Sequence, residues 1–281
     1  MNRNIAIVSR ITLIIVLLLI CFFLFPLSGS GKENEKIKSI KWQKGPCIGY
    51  LGSIAEIHVP AGYVFADAND TRILMEELHN PVSGKELGFI ASSEGWFLIF
   101  DFYNIGYIKD DEKDLLNADE LLKSLKANNE AANKERMKRG WHIMTITGWE
   151  ILPHYNQQTH NLEWAIKCES EGKPVINFNT RLLGREGVMN VTLVADPSLL
   201  KGVLPNYRQV LSNYSFKPGR KYAEFRQGDK IAKYGLSALI AGGATAVAVK
   251  SGAFKWLWKV LVAAGIGLLA LLKKLFHKKD A

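Results

Sequence analysis

The sequence predicts an α+β fold: a mainly antiparallel sheet with packed helices, plus an N-terminal signal or anchor and one or two C-terminal transmembrane helices. Three observations give this prediction. Each end of the chain is an apolar run with basic neighbours. Short strand-like runs separated by turn residues fill the middle, and helical stretches interrupt them without regular β-α alternation.

The 281-residue chain carries a formal net charge of +9, and most of that charge lies at the two ends. Residues 1–10 contribute +2 and residues 250–281 contribute +6, which leaves +1 for the 239 residues between them. Basic residues beside apolar runs are typical of membrane topology signals, whereas nucleic-acid-binding domains carry basic charge on their folded surface. The charge therefore predicts a membrane partner and no nucleic acid.

Residues 1–30 have the layout of an export signal. Arg3 and Arg10 precede an apolar run from Ile11 to Phe25, and small residues follow it. The run is long for a signal sequence and slightly short for a bilayer span. A cleaved signal peptide and a retained N-terminal anchor therefore both remain open.

Residues 235–276 predict a membrane segment with one or two spans. The first part, up to residue 249, is rich in Gly and Ala, which permits close helix packing and an oligomer formed through this segment. Phe254 to Leu272 is long enough to cross a bilayer. The basic tail of residues 277–281 is expected in the cytoplasm, and the domain of residues 40–230 on the exported side.

The middle domain is predicted from short runs with turn residues between them. A near-continuous apolar run at 96–102 indicates a central strand, and the four runs after residue 140 indicate an antiparallel meander. The predicted strands cover residues 56–60, 62–65, 96–102, 143–151, 162–169, 175–183 and 188–195. Helices are predicted after Asn69, Asn117 and Pro197, and the second turns polar beyond Ala127, which predicts an exposed or frayed end.

Two cysteines outside the first apolar run, Cys47 and Cys168, are disulfide candidates in an exported domain. They lack CxxC spacing, so two buried free thiols are the alternative. His and Cys do not recur at zinc-ligand spacing, and phosphate-loop, GxSxG and kinase motifs are missing from the sequence. The sequence therefore predicts no cofactor and assigns no catalytic residue.

Four side chains are candidates for ligand binding. Arg181 and Arg185 bracket a strand end, where two guanidinium groups are suited to hold a phosphate or carboxylate. His160 and Glu163 place an imidazole near a carboxylate, as acid–base chemistry requires. Ordinary surface and loop roles are the alternative for each pair.

Six stretches share features with one known family: VPAGYVF (59–65), GYIKDDEK (106–113), THNLEWA (159–165), NTRLLGR (179–185), YAEFR (222–226) and GDKIAKYG (228–235). Over about residues 43–250 the chain resembles the DUF2167 family of bacterial membrane-anchored proteins. The resemblance implies a bacterial envelope protein with a signal segment and C-terminal membrane anchoring. It implies no particular activity, substrate or catalytic residue.

These observations predict a membrane-anchored binding or scaffold module for a protein or lipid partner in the bacterial envelope. The domain is expected in the periplasm, beside the inner membrane. The alternative is an envelope hydrolase or transferase that uses His160 with Glu163, or Arg181 with Arg185. The missing catalytic motifs favour the non-enzymatic prediction.

Overall fold

The computed structural model describes residues 36–241, which contain two antiparallel sheets. Eight strands form one sheet in the order β1-β4-β5-β6-β10-β9-β8-β7, and three form a second in the order β11-β3-β2. The strands are β1 (Gln43–Lys44), β2 (Cys47–Leu51), β3 (Ala55–Val59), β4 (Tyr63–Asp67), β5 (Glu86–Ser92), β6 (Phe97–Tyr103), β7 (Thr145–Asn156), β8 (Asn161–Ser170), β9 (Lys173–Leu183), β10 (Val188–Ala195) and β11 (Tyr214–Phe216). The helices are α1 (Ala68–Glu77), α2 (Ala118–Lys138), α3 (Leu200–Leu211), α4 (Leu236–Ala241) and a 3-10 turn (Tyr222–Glu224).

One face of the eight-stranded sheet, the core face, packs against the small sheet and α3. Because side chains alternate along a strand, β6 and β10 direct every second residue, including Phe100 and Val191, to this side. They join Ile57 of the small sheet and Tyr207 of α3 in one buried cluster. The Tyr207 hydroxyl lies 2.6 Å from Thr180 Oγ1, which gives this buried phenol a hydrogen-bond partner.

The other face, the helix face, carries two separate apolar clusters. α1 packs on β4 and β5, where Leu74 meets Phe89 and Ile99. α2 packs on β7, where Leu121 joins Trp164 in a second cluster. The strands between these clusters carry polar side chains on the same face, and these side chains form the candidate site described below.

The predicted fold class is wrong in its helical part. The domain is mostly antiparallel sheet with few helices, and no helix within residues 36–241 is both long and apolar enough to cross a membrane. From the predicted membrane segment 235–276 the structure describes α4, whose buried side includes Leu236 and Ile240 and packs against α2. This apolar start of the segment therefore belongs to the domain core.

Residues 242–281 and 1–35 lie outside the described residues, and with them the signal or anchor, the remaining membrane segment and the basic tail. The predicted domain boundaries stay predictions.

The four predicted runs of the meander correspond to β7, β8, β9 and β10. The largest difference is at β7, which continues through Pro153, where the sequence predicts a turn. β7 is the edge strand, and its register shifts between Ile151 and His154. An edge strand tolerates proline at such an irregularity because no ladder hydrogen bond needs its missing N–H.

The second helix begins where the sequence predicts and ends later. The Asn117 side chain caps α2 by accepting hydrogen bonds from the backbone N–H groups of Asp119 and Glu120. The polar stretch beyond Ala127 is helical to Lys138, because Asn129 and Asn133 donate to the Met144 carbonyl, at 2.5 and 2.7 Å. Tertiary hydrogen bonds therefore replace the apolar stripe that this stretch lacks.

Candidate functional site

A row of four polar side chains crosses the helix face between its two apolar clusters. Glu86 on β5 lies opposite Asp101 on β6, Asp101 lies opposite Asn190 on β10, and Asn190 lies opposite Arg181 on β9. We call these four residues the polar row. Neighbouring strands are about 4.8 Å apart, so the Cα atoms of Asp101 and Arg181 are separated by about 10 Å.

The alternation of β9 and β10 builds this polar region. On β9, Phe178 points into the core-face cluster, so Asn177, Asn179 and Arg181 lie on the helix face. On β10, Asn190 and Thr192 lie opposite Arg181 and Asn179. The buried sheet centre therefore presents amide, hydroxyl and guanidinium groups on one side and aliphatic and aromatic groups on the other.

Arg181 is the positive end of the polar row, and its guanidinium has no ion-pair partner among the described residues. The Arg181 Cζ atom lies 4.5 Å from the ring centroid of Trp164, which is 1% exposed. Within residues 36–241 no carboxylate oxygen lies within 4 Å of this guanidinium, and Nη1 is buried without a hydrogen-bond partner. Burial lowers the pKa of Arg181 to about 10, although the nearby Asp101 raises it.

Unpartnered buried polar atoms are concentrated on this face. Among the described residues, six buried side-chain N or O atoms have no hydrogen-bond partner. Five of them belong to the helix face: Glu86 Oε2, Trp164 Nε1, Asn177 Oδ1, Arg181 Nη1 and Asn190 Oδ1. Each such group costs about 1–3 kcal/mol, so native proteins keep few of them. Their concentration makes this face the candidate site for a polar ligand.

The two carboxylates of the polar row have pKa values shifted in opposite directions. Burial alone would raise the pKa of Glu86, but Ser83 N and Oγ donate to Oε1 at 2.6 and 2.7 Å and lower it overall. Burial and the charge of Glu86 raise the pKa of Asp101 to about 7, against the opposing effect of Arg181. Near neutral pH, Glu86 is therefore ionised and Asp101 is divided between its two protonation states.

The loop that carries Ser83 is tied to the end of α2. Arg136 Nη2 donates to Asn80 Oδ1 at 3.3 Å, and the His79 ring stacks on Trp141 with centroids 5.4 Å apart. Arg139 also pairs with Glu76 of α1 at 3.1 Å. These contacts join α1 and α2 and hold the loop that orients Glu86.

Arg181 and Arg185 do not meet as a pair. Arg185 forms a bidentate ion pair with Asp229, with both N–O distances 2.7 Å, and donates to the Gly219 carbonyl at 3.3 Å. The Arg185 hydrogen bonds hold the pKa of Asp229 down at about 2. Arg185 therefore attaches the segment after β11 to the sheet, whereas Arg181 belongs to the polar row.

His160 and Glu163 have different partners. His160 packs on Tyr222 with ring centroids 4.6 Å apart, and its Nδ1 lies 3.1 Å from the Tyr155 hydroxyl, which donates to Asp110. Glu163 instead pairs with His154 at 3.4 Å and lies opposite Thr180, whose hydroxyl contacts Tyr207 on the core face. The two candidates therefore lie toward opposite faces of the sheet.

Cys47 and Cys168 are free thiols in separate parts of the domain. Cys47 is partly buried on β2 and packs against the core-face cluster. Cys168 is buried in the helix-face cluster around α2, and burial raises its pKa to about 11. Their positions give neither thiol a role in the polar row.

The comparisons with known proteins identify a family. A family model described as "Protein of unknown function (DUF2167)" matches residues 43–273. The chain belongs to the DUF2167 family. No curated protein matches this DUF2167 chain. Its structural matches include the solution structure of cyanobacterial PsbP (CyanoP) from Synechocystis sp. PCC 6803, at a TM-score of 0.34 and 14% identity, over 68% of this chain and 99% of that one. The predicted family is confirmed, and the bacterial envelope stays a prediction.

All of the DUF2167-like stretches except residues 59–65 meet at one end of the sheet. Tyr107 stacks on Tyr222 with centroids 4.5 Å apart, and its backbone N–H donates to the Lys230 carbonyl at 2.7 Å. Gly106 has a φ of +100°, and an added Cβ would lie 2.6 Å from that carbonyl oxygen, so the contact requires glycine. With the Arg185–Asp229 pair, these contacts attach residues 220–235 to the sheet.

Four residues of this region were missed by the sequence analysis: Glu86, Asp101, Asn177 and Asn190. Asp101 is the lone carboxylate in the apolar run 96–102, and a lone charge in a buried strand is the signal that was available. Asn177 and Asn190 alternate with apolar residues, a pattern that also describes a solvent-facing strand side. Only burial distinguishes a buried polar face from a solvent-facing one, and the sequence pattern does not show which residues are buried.

Proposed function

We propose that this DUF2167 chain is a binding module that holds a carboxylate group of its ligand at Arg181 on the helix face. One observation carries the proposal: a buried guanidinium with an unpartnered donor and no ion pair within the described residues. A buried charge without a partner is strongly destabilising. A bound anion would form the ion pair with the Arg181 guanidinium.

The chemistry of the polar row favours a carboxylate over a phosphate. A planar guanidinium matches the two oxygens of a carboxylate, and Trp164 and the asparagines offer further hydrogen-bonding groups nearby. Glu86 and Asp101 add negative charge to the same row. A dianionic phosphate would meet more repulsion there than a singly charged carboxylate.

Binding is proposed in preference to hydrolysis or group transfer. The enzymatic alternative needs His160 beside Glu163, or Arg181 beside Arg185. His160 is engaged with Tyr155 and Tyr222, and Arg185 with Asp229. With both pairs apart, the polar row is the better supported site.

We place this module in the bacterial cell envelope, as part of the same proposal. The support is the sequence of residues 1–30, which has the order of an export signal. Protease added to spheroplasts that produce the full chain checks this placement. Cleavage of the domain is expected, and full protection in intact spheroplasts would contradict it.

The binding proposal is tested by measuring the melting temperature of the full chain in sodium acetate and in sodium chloride at the same concentration. The melting temperature is expected to be higher in acetate. A ligand that binds only the folded state stabilises it in proportion to the logarithm of its concentration. Arg181→Met is expected to abolish the acetate effect. Arg185→Met, which removes the other guanidinium of the same stretch, should retain it.

Two results would contradict the proposal. One is a wild-type melting temperature that does not respond to acetate. The other is an equal response in Arg181→Met, which would place the anion elsewhere.

A further inference from the structure

The polar row is electrically asymmetric. Its positive group, Arg181, lies on β9, and its two acidic groups, Asp101 and Glu86, lie on β6 and β5. Asn190 lies between them and carries no charge. A ligand that covers this row meets a cation at one end and acidic groups at the other.

The acidic end also has no cationic partner in the part of the chain that the structure describes. Within residues 36–241, no Lys, Arg or His nitrogen lies within 4 Å of the carboxylate of Glu86 or Asp101. Arg72, the nearby arginine on α1, donates to the Glu86 backbone carbonyl and to Asn69 instead. Glu86 Oε1 is occupied by Ser83, and Oε2 has no hydrogen-bond partner.

The separation of the two ends limits the ligand's length. Arg181 and Asp101 are two strands apart, about 10 Å between Cα atoms, and both side chains project onto the helix face. Asn190 leaves its Oδ1 unpartnered at the centre. A ligand with opposite charges several bonds apart would therefore contact both ends.

We infer that the polar row binds a short zwitterion, with its carboxylate at Arg181 and its ammonium group at Asp101 and Glu86. This inference rests on the proposed function, to which it adds the cationic half of the ligand. The chemical class is that of an ω-amino acid or the equivalent part of a larger molecule.

The test compares matched ligands by calorimetry on the full chain. Glycine, β-alanine, γ-aminobutyrate and δ-aminovalerate are each titrated beside the alkanoate that lacks the amine. At least one amino acid is expected to bind about tenfold or more tightly than its alkanoate, because its ammonium group adds charge-assisted hydrogen bonds to the carboxylates. Asp101→Asn should reduce that advantage severalfold while alkanoate binding remains, and Arg181→Met should abolish both.

The pH dependence gives a second, independent readout. Glu86, Arg181 and Tyr103 are the titratable groups coupled to Asp101, and Asp101 loses its proton near pH 7. From pH 6 to pH 8 an ammonium group gains an ionised partner, so amino-acid binding should tighten. Alkanoate binding should weaken over the same range, because the new charge repels it.

The outcomes separate the two proposals. If alkanoates bind at Arg181 and no amino acid binds more tightly than its alkanoate, the zwitterion inference is overturned and the carboxylate site stands. If neither series binds the wild type, the proposed function itself fails. A tighter amino acid whose advantage survives in Asp101→Asn would also overturn the inference.

Discussion

Arg181→Met is expected to raise the free energy of unfolding of the ligand-free protein by about 1–4 kcal/mol, the range by which well-packed apolar residues stabilise a protein when they replace buried ion pairs. The substitution removes a guanidinium whose Nη1 is buried without a partner. Methionine keeps an unbranched chain that packs against the Trp164 ring. Urea unfolding of the full chain in acetate-free buffer measures the change.

Arg185→Met is the matched control and is expected to act in the opposite direction. Its guanidinium pairs with Asp229 through two hydrogen bonds of 2.7 Å, so the substitution removes the ion pair and leaves that carboxylate the Arg226 backbone N–H as donor. A side chain that serves ligand binding can lower the free energy of unfolding, whereas a side chain that serves the fold raises it. If Arg181→Met loses as much stability as Arg185→Met, Arg181 is a structural residue and the binding site is wrongly placed.

Asp101→Asn is expected to change the pH dependence of stability. The pKa of Asp101 is about 7 in the folded protein and about 3.9 in an unfolded chain. Between these values the folded state holds a proton that the unfolded state has released, so the wild type loses stability as the pH rises from about 4 to about 7. Asparagine cannot ionise, and the variant should gain up to about 4 kcal/mol relative to wild type across this range.

Asp229→Asn serves as the control with the opposite sign. The pKa of Asp229 lies at about 2, below its value in the unfolded chain. The ionised carboxylate therefore makes its full contribution to the free energy of unfolding above about pH 4, and this contribution disappears as the pH falls toward 2. Urea unfolding at several pH values measures both variants against wild type. A difference between Asp101→Asn and wild type that stays constant from pH 4 to pH 8 would contradict the assigned state of Asp101.

The sequence predicts strands best where turn residues bound a run on both sides. The run 188–195 follows Gly187 and precedes Pro197, and it is β10 at the same bounds. β7 and α2 differ from prediction because tertiary context decides their ends: an edge position admits Pro153, and Met144 binds the polar side of α2. Local patterns do not contain these long-range contacts.

The site was predicted in part for the same reason. The sequence singles out Arg181 but pairs it with Arg185, the arginine nearest in sequence. The true partner of Arg185 is Asp229, which lies 44 residues along the chain. Strand pairing brings Asp101 and Asn190 close to Arg181 from distant positions in the sequence. The alternation of side chains shows which residues of one strand share a face, but it does not show which strands are neighbours.

The most direct test of the carboxylate site is an NMR titration of the full chain with sodium acetate, followed at the Trp164 indole N–H. This N–H has no hydrogen-bond partner among residues 36–241 and belongs to the ring on which the Arg181 guanidinium stacks. Trp164→Phe identifies its resonance. A saturable shift that acetate produces, that equal sodium chloride does not, and that Arg181→Met abolishes is the predicted result. An indole resonance that stays fixed while acetate shifts signals elsewhere in the protein would contradict the account.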